Sequence, residues 1–146
     1  MSSIDKELIV SKFQIVDEKI KILKEISRTS AREAVSDPIK RAAAERLLQV
    51  AIEAVIDIGC HIISALKLKT PSTYAEIAEI LASKRIISDD LQQKIASMIR
   101  FRNLLVHGYT KVDPERLADL LERRLNDFDL FKEEITEWLK RGGQIR

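Results

Sequence analysis

An all-α fold is what this sequence predicts, on three features. Only four Gly and three Pro occur among 146 residues, too few for the many tight turns of a β-sandwich or barrel. Aromatic residues make up 5% and charged residues 33%, the balance of long amphipathic helices. Apolar residues also recur at three- and four-residue steps along most of the chain. With 45% apolar residues one ordinary core can be filled, so residues 1–146 are expected to form a single domain. The expected architecture is an up-and-down bundle of four long helices plus one short helix.

The first helix is expected to start at Ser3 and to bury Ile9, Phe13, Val16, Ile20 and Leu23, with Lys and Glu on the other face. Its periodicity stops at Ser27, and Arg28 to Ser36 reads as a connection in which Ala-Arg-Glu-Ala can hold a helical turn. Asp37-Pro38 is a cap followed by proline at the first helical position, where the missing N–H costs nothing. The second helix runs from there to about Lys69 and is apolar nearly all round, as a central helix must be. Thr70-Pro71-Ser72 breaks the chain. Thr73 and Glu76 then suit a capping box for a short helix through Ser83, with Tyr74, Ile77, Ile80 and Leu81 as its packing face. Ser88, followed by Asp89 and Asp90, starts a further helix that leads to Gly108. Asp113-Pro114-Glu115 opens the last one, whose buried face is Leu117, Leu121, Phe128, Phe131, Ile135 and Trp138, and Gly142-Gly143 ends it.

Composition removes several classes of function. The 25 Lys and Arg against 23 Asp and Glu leave a net charge of +2, too little for coating nucleic acid non-specifically, so an anionic substrate must be held locally. One Cys, Cys60, excludes an intramolecular disulfide, and with two His it does not complete a four-ligand zinc site. The first residues lack the basic-then-apolar order of a secretory signal, and the most apolar stretch is interrupted by Glu53 and Asp57. A cytoplasmic protein without membrane contact is the expectation.

Two polar patterns interrupt the helical stripes. On the central helix Arg46, Gln49, Glu53 and Asp57 recur at three- and four-residue steps, either as a solvated edge or as the wall of a cleft. His61, beside Ile62 and Ile63, reads as a satisfied residue or a subunit contact. In the helix after Ser88, Leu91, Ile95, Met98 and Leu105 mark an apolar stripe that skips Arg102. An arginine in core phase must be partnered or must reach a polar cavity, because an unpaired desolvated charge costs several kcal/mol. Glu53 or Asp57 is the candidate partner. His107 follows five positions later, which on an ideal helix places the two side chains about 140° apart. Distortion near Gly108, or a second subunit, is therefore needed to bring them together.

Arg102, His107 and Tyr109 carry a resemblance to the HepT-type HEPN toxins, whose motif is Arg, four residues, His, one residue, Tyr. The likeness extends through Glu45-Arg46-Leu47-Leu48-Gln49-Val50-Ala51-Ile52-Glu53-Ala54-Val55-Ile56-Asp57-Ile58, Pro71-Ser72-Thr73-Tyr74 and Phe101-Arg102-Asn103-Leu104-Leu105-Val106-His107. It spans the chain from about residue 4 to residue 139, and Arg28 to Ser36 is the least family-like portion.

The resemblance implies a homodimeric helical bundle with the motif in a cleft at the dimer interface, and a ribonuclease that needs no metal. Arg102 and His107 are then the catalytic residues, with Asn103, Glu53 and Asp57 supporting the cleft. It also implies a partner, a minimal nucleotidyltransferase antitoxin that uses ATP and Mg²⁺ to transfer AMP onto Tyr109. An imidazole changes charge near neutral pH and can move the proton of a ribose 2′-OH, and a guanidinium can hold the charge that gathers on phosphorus. Two other readings are a non-catalytic subunit that binds nucleotide or presents substrate to a nucleotidyltransferase, and a helical interaction module.

Overall fold

The computed structural model describes residues 4–108 and 111–143. Among them the secondary structure is entirely helical, with no strand, in line with the expected class. Successive long helices pack on one another as in an up-and-down bundle: α1 (Lys6–Ile26) on α3 (Pro38–Ala65), α3 on α5 (Asp89–His107), and α5 on α7 (Asn126–Lys140). The shorter α2 (Ala31–Ser36) packs on α6 (Pro114–Asp119), and α4 (Glu76–Ser83) fills the angle between α3 and α5.

The helix ends show which local signals governed the chain. Ser3 lies outside the described residues, and α1 is capped by Asp5, whose carboxylate accepts from the Leu8 N–H at 3.1 Å. The Asp5 N–H in turn donates to Nε2 of His61 at 2.8 Å, so this imidazole is a satisfied residue tying α1 to α3. Two thirds of the expected connection after Ser27 is helical, because Ser30 caps α2 and Ala31, Ala34 and Val35 are buried. Asp37 accepts from the N–H groups of Ile39 and Lys40, as its place before Pro38 foretells.

Two helices end earlier or begin later than expected. α3 stops at Ala65 because Lys67 takes a left-handed conformation (φ 54°), which lets the Leu68 N–H reach back to the Ile63 carbonyl at 3.0 Å. The capping box at Thr73 does not form: α4 starts at Glu76, and the Glu76 carboxylate accepts from the Ser72 N–H at 2.7 Å. The last helix is not continuous either. A wide π turn, Leu120–Arg124, separates α6 from α7.

The core runs the length of the bundle. Phe13 and Phe131 meet across it with ring centroids 6.0 Å apart, and Phe101, Phe128 and Trp138 are almost wholly enclosed. By length and composition α3 could cross a membrane, yet 56% of its most apolar window is buried against other helices, the behaviour of a core helix. Gly59 lets α4 approach α3: a Cβ built there would lie 2.4 Å from Cγ2 of Ile77, which is itself buried.

That contact gives a first test. Alanine at position 59 gains about 1 kcal/mol of helix propensity. It must also displace a β-branched side chain, and overpacking of this kind costs about 1–3 kcal/mol. Gly59→Ala is therefore expected to lower the thermal midpoint, and adding Ile77→Ala, which removes the clashing methyl, should cost less than the two single effects summed. Strict additivity would show that the helices do not meet through this pair.

Candidate functional site

The site forms where three elements converge: the middle of α3, the turn leading into α4, and the C-terminal half of α5. In α5, Leu91, Ile95 and Met98 are buried, and Arg102 follows in their phase with its side chain 16% exposed. Its charge is met by Glu53 of α3, not by Asp57. Nε and Nη2 of Arg102 donate to the same carboxylate oxygen, Oε2, at 3.1 and 2.8 Å. Gln49, one turn earlier on α3, also donates to that oxygen at 3.4 Å. Asn103 accepts from Nη1 at 3.2 Å. Three of the five guanidinium N–H groups are thus engaged, and two have no partner among the described residues.

Asp57 lies one turn further along α3 and pairs instead with Lys12 of α1 at 3.0 Å. The structure therefore brings Glu53 and Asn103 to Arg102 and leaves Asp57 on the α1 side. Two of the four residues of the polar stripe, Arg46 and Gln49, line an open groove of about 500 Å³ between α3 and the end of α5, which Arg41, Lys111, Leu104 and Gly108 also line.

The sequence placed Tyr74 on the packing face of α4; the structure does not. Its ring lies under the Arg102 guanidinium, 5.3 Å from centroid to Cζ, and the residue is 48% exposed. The only signal for this position was its inclusion in the Pro71-Ser72-Thr73-Tyr74 stretch that carries the resemblance.

His107 is the last residue of α5 and is exposed. Gly108 follows in the left-handed conformation (φ 62°), as its place after the last helical turn foretells, and its N–H reaches the Leu104 carbonyl at 3.4 Å. The helix is regular through His107, so no distortion rotates the imidazole toward Arg102, and the two side chains diverge by about 140°. Tyr109 lies outside the described residues. So does the modification expected there.

A helical bundle with a partnered arginine inside and a histidine at the end of the same helix is the class of protein to which HEPN toxins belong. The chain belongs to the HepT-like ribonuclease family, whose model matches residues 16–135. It is similar to the tRNA nuclease HepT of Aphanizomenon flos-aquae, with 29% identity over 139 residues that cover 95% of each chain. The fold matches that of a tri-AMPylated Shewanella oneidensis HEPN toxin in complex with MNT antitoxin, at a TM-score of 0.83 and 24% identity, over 89% of this chain and 97% of that one. It likewise matches YutE, a cytosolic protein from Bacillus subtilis, at a TM-score of 0.85 and 20% identity, over 100% of this chain and 99% of that one.

The Glu53 carboxylate gives the site a signature in acid. Burial pushes its pKa up, but the hydrogen bonds from Arg102 and Gln49, with the charges of Arg102 and Arg46, outweigh burial and leave it below the usual glutamate value. A carboxylate whose pKa is lower folded than unfolded stabilises fully above the unfolded value, about 4.3, and loses that contribution as pH falls through the folded one. Denaturant unfolding at pH 7 and pH 3 is expected to show Glu53→Gln as less stable than the wild type at pH 7, with a narrower gap at pH 3. An equal gap at both values would mean that the ion pair adds nothing to stability.

Proposed function

We propose that this chain is the toxin of a toxin–antitoxin pair, a ribonuclease that cleaves RNA by transesterification without a metal ion. The observation that carries this reading is Arg102 itself, a cation held in place by Glu53, Asn103 and Tyr74, with two N–H groups unengaged among the described residues, on the helix that ends in His107. A fixed guanidinium favours a phosphodiester most when charge accumulates on its non-bridging oxygens, which is the condition for lowering the barrier.

In the proposed reaction the ribose 2′-oxygen attacks phosphorus and the 5′-oxygen leaves. An imidazole takes the 2′-OH proton and a proton is delivered to the departing oxygen, so the products are a 2′,3′-cyclic phosphate and a 5′-hydroxyl. Because α5 is straight, Arg102 and His107 of one chain face different ways. A homodimer answers this by pairing the motif of one protomer with that of its partner, so that two imidazoles serve one cleft, one as base and one as acid. Exposed Leu104 and Val106, at the same end of α5, suit such a contact.

The partner in this reading is a minimal nucleotidyltransferase antitoxin that spends ATP with Mg²⁺ to place AMP on Tyr109. Support comes from the AMPylated relative bound to its antitoxin. A bulky anion one residue beyond Gly108 repels RNA phosphate from the cleft and closes the enzyme. A cytoplasmic location accords with the cytosolic YutE.

Purified protein is expected to cleave RNA in the presence of EDTA, with cleavage lost in His107→Ala and in Arg102→Ala chains that remain folded by circular dichroism. Cleavage retained by both would remove these residues from the mechanism. Intact-mass measurement after co-expression with the cognate nucleotidyltransferase should show increments of AMP that vanish in Tyr109→Phe; increments that persist would move the modification elsewhere.

A further inference from the structure

We infer that Tyr74 is a base-stacking platform of the site, which makes the ligand of this cleft a single-stranded RNA whose nucleobase lies on Tyr74 while its phosphate meets Arg102. The ring stands out among the described aromatic residues. Phe13, Phe101, Phe128, Phe131 and Trp138 are all 6% exposed or less, whereas Tyr74 is 48% exposed. Packing therefore does not account for it. Nor does hydrogen bonding, since its hydroxyl has no partner among the described residues, and aromatic tyrosines spent on structure usually bury the ring and bond the hydroxyl.

What the ring does touch is the guanidinium of Arg102, at 5.3 Å. The pair is built on a firm turn: the Ser72 N–H is held by the Glu76 carboxylate, and the N–H groups of Glu76 and Ile77 bond the carbonyls of Thr73 and Tyr74. The ring is thus presented in a set position beside the cation that takes the phosphate. In a nucleotide the base is one ribose away from its phosphate, and an aromatic face beside a cation is the arrangement by which proteins grip unpaired strands. A duplex keeps its bases stacked on one another and has none to offer. The groove sharing Gln49 with this network carries Arg41, Arg46 and Lys111 against one carboxylate, Glu45; Arg46 and Lys111 have no ion-pair partner among the described residues, and this excess of positive charge gives the strand a backbone path.

This inference rests on the RNA-cleaving reading for its ligand, but its test does not depend on cleavage. The probe is a short RNA with 2′-fluoro substitution, which lacks the attacking hydroxyl, and a series of the same strand with one abasic position moved along it. Binding to the whole protein is read by fluorescence anisotropy. For the wild type, one abasic position is expected to weaken binding about 5- to 150-fold, the range that one base–aromatic stack spans. Tyr74→Ala should lose a similar factor on the intact strand and lose nothing more when that base is removed; Tyr74→Phe should behave as wild type.

If Tyr74 only orients Arg102, Tyr74→Ala weakens binding yet keeps the full abasic penalty, and the inference is overturned. A change in oligomer mass by sedimentation with unchanged RNA binding, or a wild type that does not bind the strand, overturns it as well. Base-dependent binding by a protein that fails to cleave ordinary RNA would leave Tyr74 its role and remove the catalytic assignments instead.

Discussion

A guanidinium placed in the apolar phase of a helix has to be neutralised from the neighbouring helix, and much of this molecule is arranged around that requirement. Glu53 is the counter-charge, but one carboxylate oxygen receiving two N–H groups of Arg102 does not by itself fix the plane of the cation. Asn103 on one edge and the Tyr74 ring on one face complete the fixing. Each of these comes with a structural demand. Glu53 needs α3 and α5 in contact, and Tyr74 needs the turn before α4 close to both. The absence of a side chain at Gly59 is what lets α4 sit that near to α3. Core packing and site geometry are thus one problem here, since the same helix contacts that exclude water from Ile52 and Ile58 set the Glu53–Arg102 distance.

The same economy bears on why Arg102 and His107 point apart within one chain. A straight α5 buries Leu91, Ile95, Met98 and Phe101 in one continuous surface, and unwinding its end to turn His107 inward would forfeit backbone hydrogen bonds in the last turn. In the homodimer proposed above, the helix stays intact and the opposing group comes from the second copy, which avoids that loss. On the proposed reading the reactive cleft becomes conditional on association, since an isolated chain then holds Arg102 without an imidazole facing it.

The helices were legible because their cause is local. Asp37 before Pro38, Ser88 before two aspartates and Gly108 after the last turn of α5 all act within a few residues, and each behaves as its chemistry dictates. Arg102 was legible for a related reason: a charge in core phase announces a partner, though spacing alone left Glu53 and Asp57 equal. Only the packing of α1 separates them, by giving Asp57 to Lys12. Tyr74 was misplaced because three- and four-residue spacing treats an aromatic as core, and whether a helix starts at Thr73 or at Glu76 decides which way the ring points. The end of α3 was overrun because Lys67 does the work usually given to glycine, and nothing in a lysine marks a left-handed residue.

The wide turn at Leu120–Arg124 escaped notice because Leu117, Leu121, Leu125 and Phe128 keep a spacing that an unbroken α-helix also satisfies. Such a turn spends one more residue than an α-helix would over the same arc. It follows that the chain carries a spare residue there. Deleting one position between 120 and 124 restores ordinary α-helical spacing and leaves α6 on α2 and α7 on α5, whereas the same deletion in the middle of α3 rotates everything beyond it by about 100° and turns the core outward. Length variation among related chains is thus expected to collect in this segment, where the fold can absorb an insertion without changing what either flanking helix faces.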